Sequence, residues 1–229
     1  MDNLINSLKG EIIVSCQAFE EEPFHGSEYM VKMAESAKLG GAKFLRACWP
    51  NDISAIKKVV NLPIIGINKI ICENLDIKRD VIITPTFEAA KEIYYAGADI
   101  IAVDCTRRAR SVKVEKLLYD IKSKLDVKIM ADISTLEEGL DAIKYGADIV
   151  STTLSGYTYH SSQSKEPDYD LIYKLRQATD TPINAEGRYW EIAQVKKAFE
   201  NGAWCVTIGG AITRPHLITE RFIKAVKGE

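Results

Sequence analysis

Short apolar runs alternate with amphipathic stretches along the whole chain. Four of the runs follow a glycine: "GGAKFLRA" from Gly40, "AGADIIAVD" from Ala96, "YGADIVSTT" from Tyr145 and "NGAWCVTIGG" from Asn201. Glycine suits the left-handed residue that ends a helix, and the β-branched run after it has the length of a strand and no helical period. Each segment therefore predicts the end of one helix and the start of one strand.

A second set of apolar runs lies between the first four. It consists of "NLPIIGINK" from Asn61, "DVKIMADIS" from Asp126 and "TPINAEGR" from Thr181, and "EIIVSCQ" from Glu11 brings the number of predicted strands to eight. The glycine-led runs recur about every 50 residues, a spacing typical of a tandem supersecondary unit.

Eight amphipathic stretches fill the gaps and predict helices. Ser134 and Glu137 form a capping box at the start of the fifth helix. The eight predicted helices cover 27–39, 51–59, 86–96, 114–124, 134–145, 168–178, 190–201 and 214–227.

Strands that are apolar along their length and alternate with helices favour a parallel sheet that is covered on both faces. We therefore expect one α/β domain over residues 1–229, folded as a (β/α)8 TIM barrel. An open doubly wound sheet is the alternative, but it would require a GxGxxG loop after the first strand, and "SCQAFEEEPFHG" lacks one. Residues 81–86, "VIITPT", are expected as a short extra segment rather than a ninth strand.

Composition narrows the class of partner. The 229 residues carry a net charge of −2, so neither nucleic acid nor an anionic membrane is an expected partner. The chain shows no secretory leader and no apolar run of about 18 residues, which predicts a cytoplasmic protein.

Cysteine and histidine usage predicts no metal site. The five cysteines form no CxxC pair, and four of them lie in strand-like runs, which is typical of buried apolar residues in a reducing compartment. The three histidines lie far apart in the sequence and lack the spacing of metal ligands.

Nearly every predicted strand ends in a polar or glycine residue. Chemistry in such barrels lies at the C-terminal ends of the strands, so a ring of these residues favours an active site. Asp104, Asp132 and Thr153 taken singly are equally compatible with helix caps or ion-pair partners at the rim. In chain order the strand-end residues are Gln17, Arg46, Lys69, Asp104, Asp132, Thr153, Glu186 and the pair Gly209 and Gly210.

The last two strand ends predict a phosphate site. Gly187 and the pair Gly209–Gly210 precede helix starts, where backbone N–H groups and the helix dipole favour an anion. Arg188 and Arg214 lie beside them in the sequence. We expect Arg214 to bind the phosphate, and Arg188 and Thr153 to bind the substrate. A Gly-Gly pair alone would also fit a tight turn. The basic segment 106–111 after the fourth strand is either a mobile loop over the phosphate or a solvated turn.

Eight short motifs span nearly the whole chain: "IVSCQA", "EPFH", "LPIIGI", "ITPT", "MADISTLEEG", "STTLSGYT", "AEGR" and "GGAITRP". Together they resemble the N-acetylmannosamine-6-phosphate 2-epimerases of bacterial sialic acid catabolism. The resemblance implies a barrel of the ribulose-phosphate-binding type that interconverts two phosphorylated amino sugars without a metal or organic cofactor. It also implies a homodimer.

The resemblance assigns roles to single positions. The catalytic lysine of the family matches Lys69 and the catalytic glutamate matches Glu186, while Gln17, Arg46 and Asp132 match substrate-contacting residues. Six positions depart from the usual family pattern and bear on the shape of the sugar pocket: Phe24 and Gly26 in "FHGS", Trp49, Asn68 and Ile70 on either side of Lys69, and Trp190.

Epimerisation beside an aldehyde needs a base, stabilisation of the enolate and reprotonation from the opposite face. We expect Lys69 to act as the base, with its pKa lowered by burial and by Arg46, and Glu186 as its acid-base partner. The sequence leaves open which of the two acts at C2 and which opens the ring. Two other functions remain, a Schiff-base aldolase that uses Lys69 and a non-catalytic phosphosugar-binding barrel.

Overall fold

Eight parallel strands close into a barrel in a computed structural model that describes residues 3–71 and 73–228. Each strand pairs with the next along the chain, and the last pairs with the first. This confirms the expected (β/α)8 TIM barrel. The strands are β1 Ile12–Cys16, β2 Phe44–Cys48, β3 Ile64–Ile67, β4 Ile100–Asp104, β5 Lys128–Asp132, β6 Ile149–Ser151, β7 Ile183–Glu186 and β8 Cys205–Ile208.

Helices surround the barrel, and each of the eight predicted from the sequence has a counterpart within two residues of the expected bounds. Two further helices are too short to produce an amphipathic pattern, which is why the sequence did not reveal them. In chain order the helices are α1 Asn3–Ser7, α2 Ser27–Leu39, α3 Pro50–Val59, α4 Phe87–Tyr95, α5 Val114–Lys124, α6 Leu136–Lys144, α7 Tyr169–Ala178, α8 Ile192–Glu200, α9 Gly210–Thr213 and α10 Pro215–Lys227.

The capping box of α6 lies one residue later than predicted. Thr135, not Ser134, is the N-cap, and its hydroxyl accepts from the Glu138 N–H at 3.3 Å. The Glu138 carboxylate accepts in return from the Thr135 N–H at 3.1 Å. "STLEE" contains two hydroxyls followed three residues later by two acids, so the sequence fits both registers.

Residues 81–86 do not form a ninth strand of the barrel. Ile83 makes a single antiparallel bridge with Lys69, and the N–H of Ile70 donates to the carbonyl of Ile82 at 3.0 Å. The N–H of Thr84 donates to the Asn68 carbonyl at 2.8 Å. The segment therefore extends along the end of β3 and fixes the backbone that carries Lys69.

The barrel interior is apolar at its N-terminal end. Ile5 and Leu8, in and just after α1, are buried there and close this end of the barrel. The buried apolar side chains of the cluster include Ile13, Phe44, Ile65, Ile100, Met130, Ile149 and Cys205.

Four of the five cysteines are buried and unpaired, as predicted: Cys16, Cys48, Cys105 and Cys205. Cys72 lies outside the described residues. Among the helices that the structure describes, none combines the length and the apolar character needed to cross a membrane.

Gly66 on β3 allows the helical layer to approach the sheet. A Cβ at this position would lie 2.6 Å from the Ala98 Cβ and 3.1 Å from Ile53 Cδ1. We expect Gly66→Ala to lower the free energy of unfolding by about 1–3 kcal/mol, because overpacking forces its neighbours to move. Thermal unfolding measures this as about 2–4 °C per kcal/mol in a chain of this size. The exposed, right-handed Gly40 is the control, and equal melting of Gly66→Ala and Gly40→Ala would contradict the account.

Candidate active site

Strand alternation brings the predicted polar side chains to one end of the barrel. Successive residues of a strand face opposite sides, so the residue two positions after an interior one is also interior. Ala102 and Met130 belong to the interior cluster. Asp104 lies two residues after Ala102 in β4, and Asp132 lies two residues after Met130 in β5. Arg46 lies between Phe44 and Cys48, which are both interior.

A cavity of 370 Å³ opens at this C-terminal end. Arg46 and Asp132 are not in its lining but lie beneath it, 1% and 0% exposed. The candidate residues that do line it are Gln17, Lys69, Thr153, Glu186, Gly187, Arg188, Gly209, Gly210 and Arg214.

Arg46 joins the two acids of the site. Its guanidinium donates to both carboxylate oxygens of Asp132, at 3.1 and 2.5 Å, and Nη1 lies 3.0 Å from Glu186 Oε2. Burial opposes the charge of Arg46, but the two acids outweigh it and raise its pKa, so the guanidinium stays charged. The two carboxylates are therefore held together by one cation from β2.

A layer of neutral donors completes this network. The Thr153 hydroxyl lies 2.7 Å from Asp132 Oδ1 and 3.1 Å from Glu186 Oε2. The buried Asn184 donates to Ser151 Oγ at 2.7 Å and accepts from the Thr207 hydroxyl at 2.9 Å. Sequence reasoning missed Asn184, although it occupies an interior position two residues before Glu186 in an otherwise apolar strand.

The two predicted acid-base groups have pKa values shifted toward each other. Burial raises the pKa of Glu186 to about 7; Arg46 opposes this shift and Asp132 adds to it. Burial lowers the pKa of Lys69, and the positive charges of Arg214 and Arg46 lower it further. The carboxyl thus keeps its proton up to about pH 7, and the amine gives up its proton more readily than an ordinary lysine, a combination that suits proton transfer in both directions.

Gln17 presents an acceptor without a partner. Its amide nitrogen donates to Ser15 Oγ at 2.7 Å. Its carbonyl oxygen is buried and has no hydrogen-bond partner among the described residues. Because Gln17 lines the cavity, this oxygen is placed to accept from a bound ligand.

The glycines lie together at the other side of the cavity. Gly187 and Arg188 have φ values of 111° and 66°, a left-handed turn that aligns the chain after β7. The short helix α9 starts at Gly210, and the leading N–H groups of a helix have no acceptor within the helix. A Cβ on Gly210 would lie 3.3 Å from the Trp190 ring, so glycine allows this ring to close over the turn.

Arg188 and Arg214, the two arginines predicted to bind the ligand, line the cavity but already make contacts. Arg188 donates through Nε to the Glu166 carbonyl at 2.9 Å and through Nη1 to the Ser155 carbonyl. Arg214 donates to both carboxylate oxygens of Glu22, at 2.6 and 3.1 Å. Arg188 therefore fastens the loop after β6 over the site, and Arg214 is oriented by an acid from the loop after β1.

Segment 106–111 fits neither expectation, because two of its arginines turn inward onto Asp104. Arg108 donates to the Asp104 carboxylate and to the carbonyls of Ile77 and Asp80, and Arg110 donates to Asp104 at 3.0 Å. Arg108 is 8% exposed and forms part of the cavity wall. Asp104 thus anchors its own loop and the segment around residue 77.

The positions that depart from the family pattern act in different ways. Trp190 lines the cavity. Asn68 is buried and donates to the carbonyl of Ala89 and to Glu92 in α4. Trp49 lies behind the cavity wall, where its indole N–H donates to the Lys69 carbonyl at 2.9 Å. Of these three, Trp190 alone belongs to the cavity lining.

Metal ligands are not grouped in the described part of the chain. Within residues 3–71 and 73–228, no group of three or more histidine, cysteine, aspartate or glutamate side chains is arranged to hold a metal ion.

The raised pKa of Glu186 makes a prediction about stability. The folded protein keeps this proton up to about pH 7, whereas an unfolded chain releases it near pH 4.3. Ionisation therefore destabilises the fold progressively between these values and by a constant amount above them. We expect Glu186→Gln, which cannot ionise, to gain up to about 3 kcal/mol relative to the wild type on going from pH 5 to pH 8.

Urea unfolding at the two pH values measures this difference. The matched control is Glu200→Gln, which removes an exposed carboxylate at the end of α8 and should change stability equally at both pH values. A Glu186→Gln effect that is the same at pH 5 and pH 8 would show that the carboxyl titrates normally.

Comparisons with known proteins agree on one family. A family model described as "Putative N-acetylmannosamine-6-phosphate epimerase" matches residues 30–228. A protein of Caldanaerobacter subterraneus subsp. tengcongensis, named "Putative N-acetylmannosamine-6-phosphate 2-epimerase", is 46% identical over 228 residues, which cover 98% of this chain and 94% of that protein.

Solved structures give the same relationship. The N-acetylmannosamine-6-phosphate 2-epimerase of Clostridium perfringens is 43% identical with a TM-score of 0.92, over 98% of this chain and 96% of that one. A thiamine phosphate pyrophosphorylase of Pyrococcus furiosus, at 15% identity and a TM-score of 0.61 over 92% of this chain and 90% of that one, shares the fold alone. With matches over nearly its whole length, the chain belongs to the N-acetylmannosamine-6-phosphate epimerase family.

Proposed function

We propose that this cavity interconverts N-acetyl-D-mannosamine 6-phosphate and N-acetyl-D-glucosamine 6-phosphate by moving the proton at C2. The observation that carries the proposal is the pair of Lys69 and Glu186, which line one cavity with pKa values shifted toward each other. The family assignment supports this reaction over the Schiff-base aldolase and the non-catalytic binding barrel.

The chemistry follows from the open-chain sugar. The hydrogen on C2 is acidic because its removal gives an enolate that is delocalised onto the C1 oxygen. A neutral Lys69 amine accepts a proton, and a protonated Glu186 donates one, so the pair can supply both the base and the acid. The assignment of one residue to C2 and the other to ring opening stays open.

The rest of the cavity holds the substrate. Gly187, Gly209 and Gly210 form the phosphate end with Arg214, because backbone N–H groups and a guanidinium both donate to phosphate oxygens. Arg188 fixes the loop that covers this end. At the other end Gln17 offers its free carbonyl oxygen to a sugar hydroxyl or the amide N–H.

Arg46, Asp132 and Thr153 act from beneath the substrate. They hold the Glu186 carboxyl at a fixed place and set its proton affinity. Positioning of this kind is worth orders of magnitude in rate, because the reacting groups lose no freedom during the reaction.

Metal independence is part of the proposal, since Lys69 and Glu186 provide the proton transfers. The measurement is epimerisation after dialysis against a chelator, which should leave the rate unchanged.

A cytoplasmic location stays a prediction from the sequence.

Deuterium exchange at C2 tests the reaction. With N-acetylglucosamine 6-phosphate in D₂O, we expect proton NMR to show deuterium entering C2 and the manno epimer appearing. Lys69→Ala and Glu186→Ala should each slow this by about 10²–10⁴-fold, the usual contribution of a general acid or base. Lys43→Ala, at an exposed ion pair, is the control and should react like the wild type.

Two outcomes would contradict the proposal. If the wild type binds the sugar phosphate but neither exchanges C2 nor epimerises it, the cavity does not perform this reaction. If borohydride traps a substrate adduct on Lys69, the aldolase function is favoured instead.

We also propose a homodimer, and helix α10 supports it. This helix has no buried residue, and Phe222, Ile223 and Val226 are 69%, 49% and 88% exposed on one side of it. An apolar face of this kind is typical of an interface. Phe222→Glu should convert a dimer into a monomer in light scattering, whereas Lys224→Glu, on the opposite side of the helix, should not. A monomeric wild type would contradict this part of the proposal.

A further inference from the structure

The side chain of Lys69 is held by an aromatic ring and not by a carboxylate. Its Nζ lies 4.4 Å from the centroid of the Phe19 ring. Among the described residues, no hydrogen bond or ion pair within 4.0 Å is formed by this Nζ. A carboxylate partner would favour the ammonium form strongly, whereas a ring orients the charge with a weaker preference. A base that must be neutral for part of its cycle is better served by the ring.

Phe19 is fixed in its place from several sides. Its backbone N–H donates to Glu22 Oε2 at 2.7 Å, and the edge of its ring meets Trp49 with centroids 6.0 Å apart. Arg214 lies 5.8 Å from the same ring and is oriented by the same Glu22. The ring therefore lies against two of the cations that line the cavity, Arg214 at the proposed phosphate end and Lys69 at the reacting end.

Trp49 fixes the backbone of Lys69. Its indole N–H donates to the Lys69 carbonyl at 2.9 Å, and the backbone N–H of Trp49 donates to the Ile67 carbonyl at 2.9 Å. Trp49 has a φ of 64°, a conformation that disfavours any side chain larger than glycine. A strained residue persists where its neighbours determine its place, and such residues concentrate at functional sites.

We propose that Phe19 and Trp49 are positioning residues for Lys69: the Phe19 ring holds the amine over the cavity without a carboxylate partner, and Trp49 holds both that ring and the Lys69 carbonyl. This inference rests on the proposed function, in which Lys69 transfers a proton. It gives Trp49, which is absent from the cavity lining, a role in the reaction through its contacts with Phe19 and Lys69.

Phe19→Leu removes the ring and keeps an apolar side chain. We expect kcat to fall about 10–100-fold while KM changes less than about threefold, because displacement of a reacting group lowers the rate of the chemical step more than the affinity for the substrate. Water also reaches the amine, so the pKa of Lys69 rises and the limb of the kcat/KM profile that belongs to it moves to higher pH. Phe19→Tyr keeps the ring and should restore most of kcat.

Lysine labelled with ¹³C at Cε provides a readout that does not need substrate. The resonance of Lys69 is identified by its loss in Lys69→Met. In the wild type the Phe19 ring current should displace it upfield of lysines that face no aromatic ring, and in Phe19→Leu this displacement should vanish. Trp49→Phe, which keeps an aromatic ring but removes the indole donor, should shift the same resonance and lower kcat.

The outcomes separate the two claims. If the wild type does not epimerise but the Lys69 resonance loses its displacement in Phe19→Leu, the proposed function fails and the contact stands. If the wild type epimerises and Phe19→Leu keeps both its kcat and its Lys69 resonance, the positioning role is overturned. Equal losses of kcat in Phe19→Leu and Phe19→Tyr would also overturn it, because the ring would not be the part that matters.

Discussion

The site depends on one buried cation. Arg46 lies under the cavity and binds Asp132 and Glu186 together, so two carboxylates from different strands share a single guanidinium. Such a group cannot be truncated alone, because its partners would remain buried without compensation, at a cost of about 3–5 kcal/mol. Because one positive charge faces two acids, protonation of one of these acids costs little free energy. Glu186, which reaches the cavity surface, is that acid.

The barrel makes this arrangement possible. Arg46, Asp132 and Glu186 come from β2, β5 and β7, which converge only because the sheet closes. The apolar interior below them excludes water, and this burial is the main cause of the shifted pKa values of both Glu186 and Lys69. Lys69 shares their cavity but is held by Phe19, away from a direct carboxylate contact. Its positive charge is therefore less strongly stabilised than that of Arg46, although both belong to one site.

The alternation of strand and helix patterns predicted the architecture, because both periodicities are local properties of the sequence. The ring of strand-end residues was predictable for the same reason. Side-chain partners were not. The capping box shifted by one residue because "STLEE" fits two registers. Arg214 pairs with Glu22, 192 positions away, and two arginines of segment 106–111 fold back onto Asp104. Such pairings depend on three-dimensional proximity, which no pattern of spacing along the chain reveals.

The central claim is that Glu186 is held as a carboxylic acid until the pH reaches about 7. The most direct measurement is a ¹³C NMR titration of protein labelled at the glutamate side-chain carboxyl, with Glu186 assigned by its loss in Glu186→Gln. The account predicts one carboxyl with a midpoint near pH 7, well separated from exposed glutamates that titrate near pH 4.3. A midpoint for Glu186 among those of the exposed glutamates would contradict it.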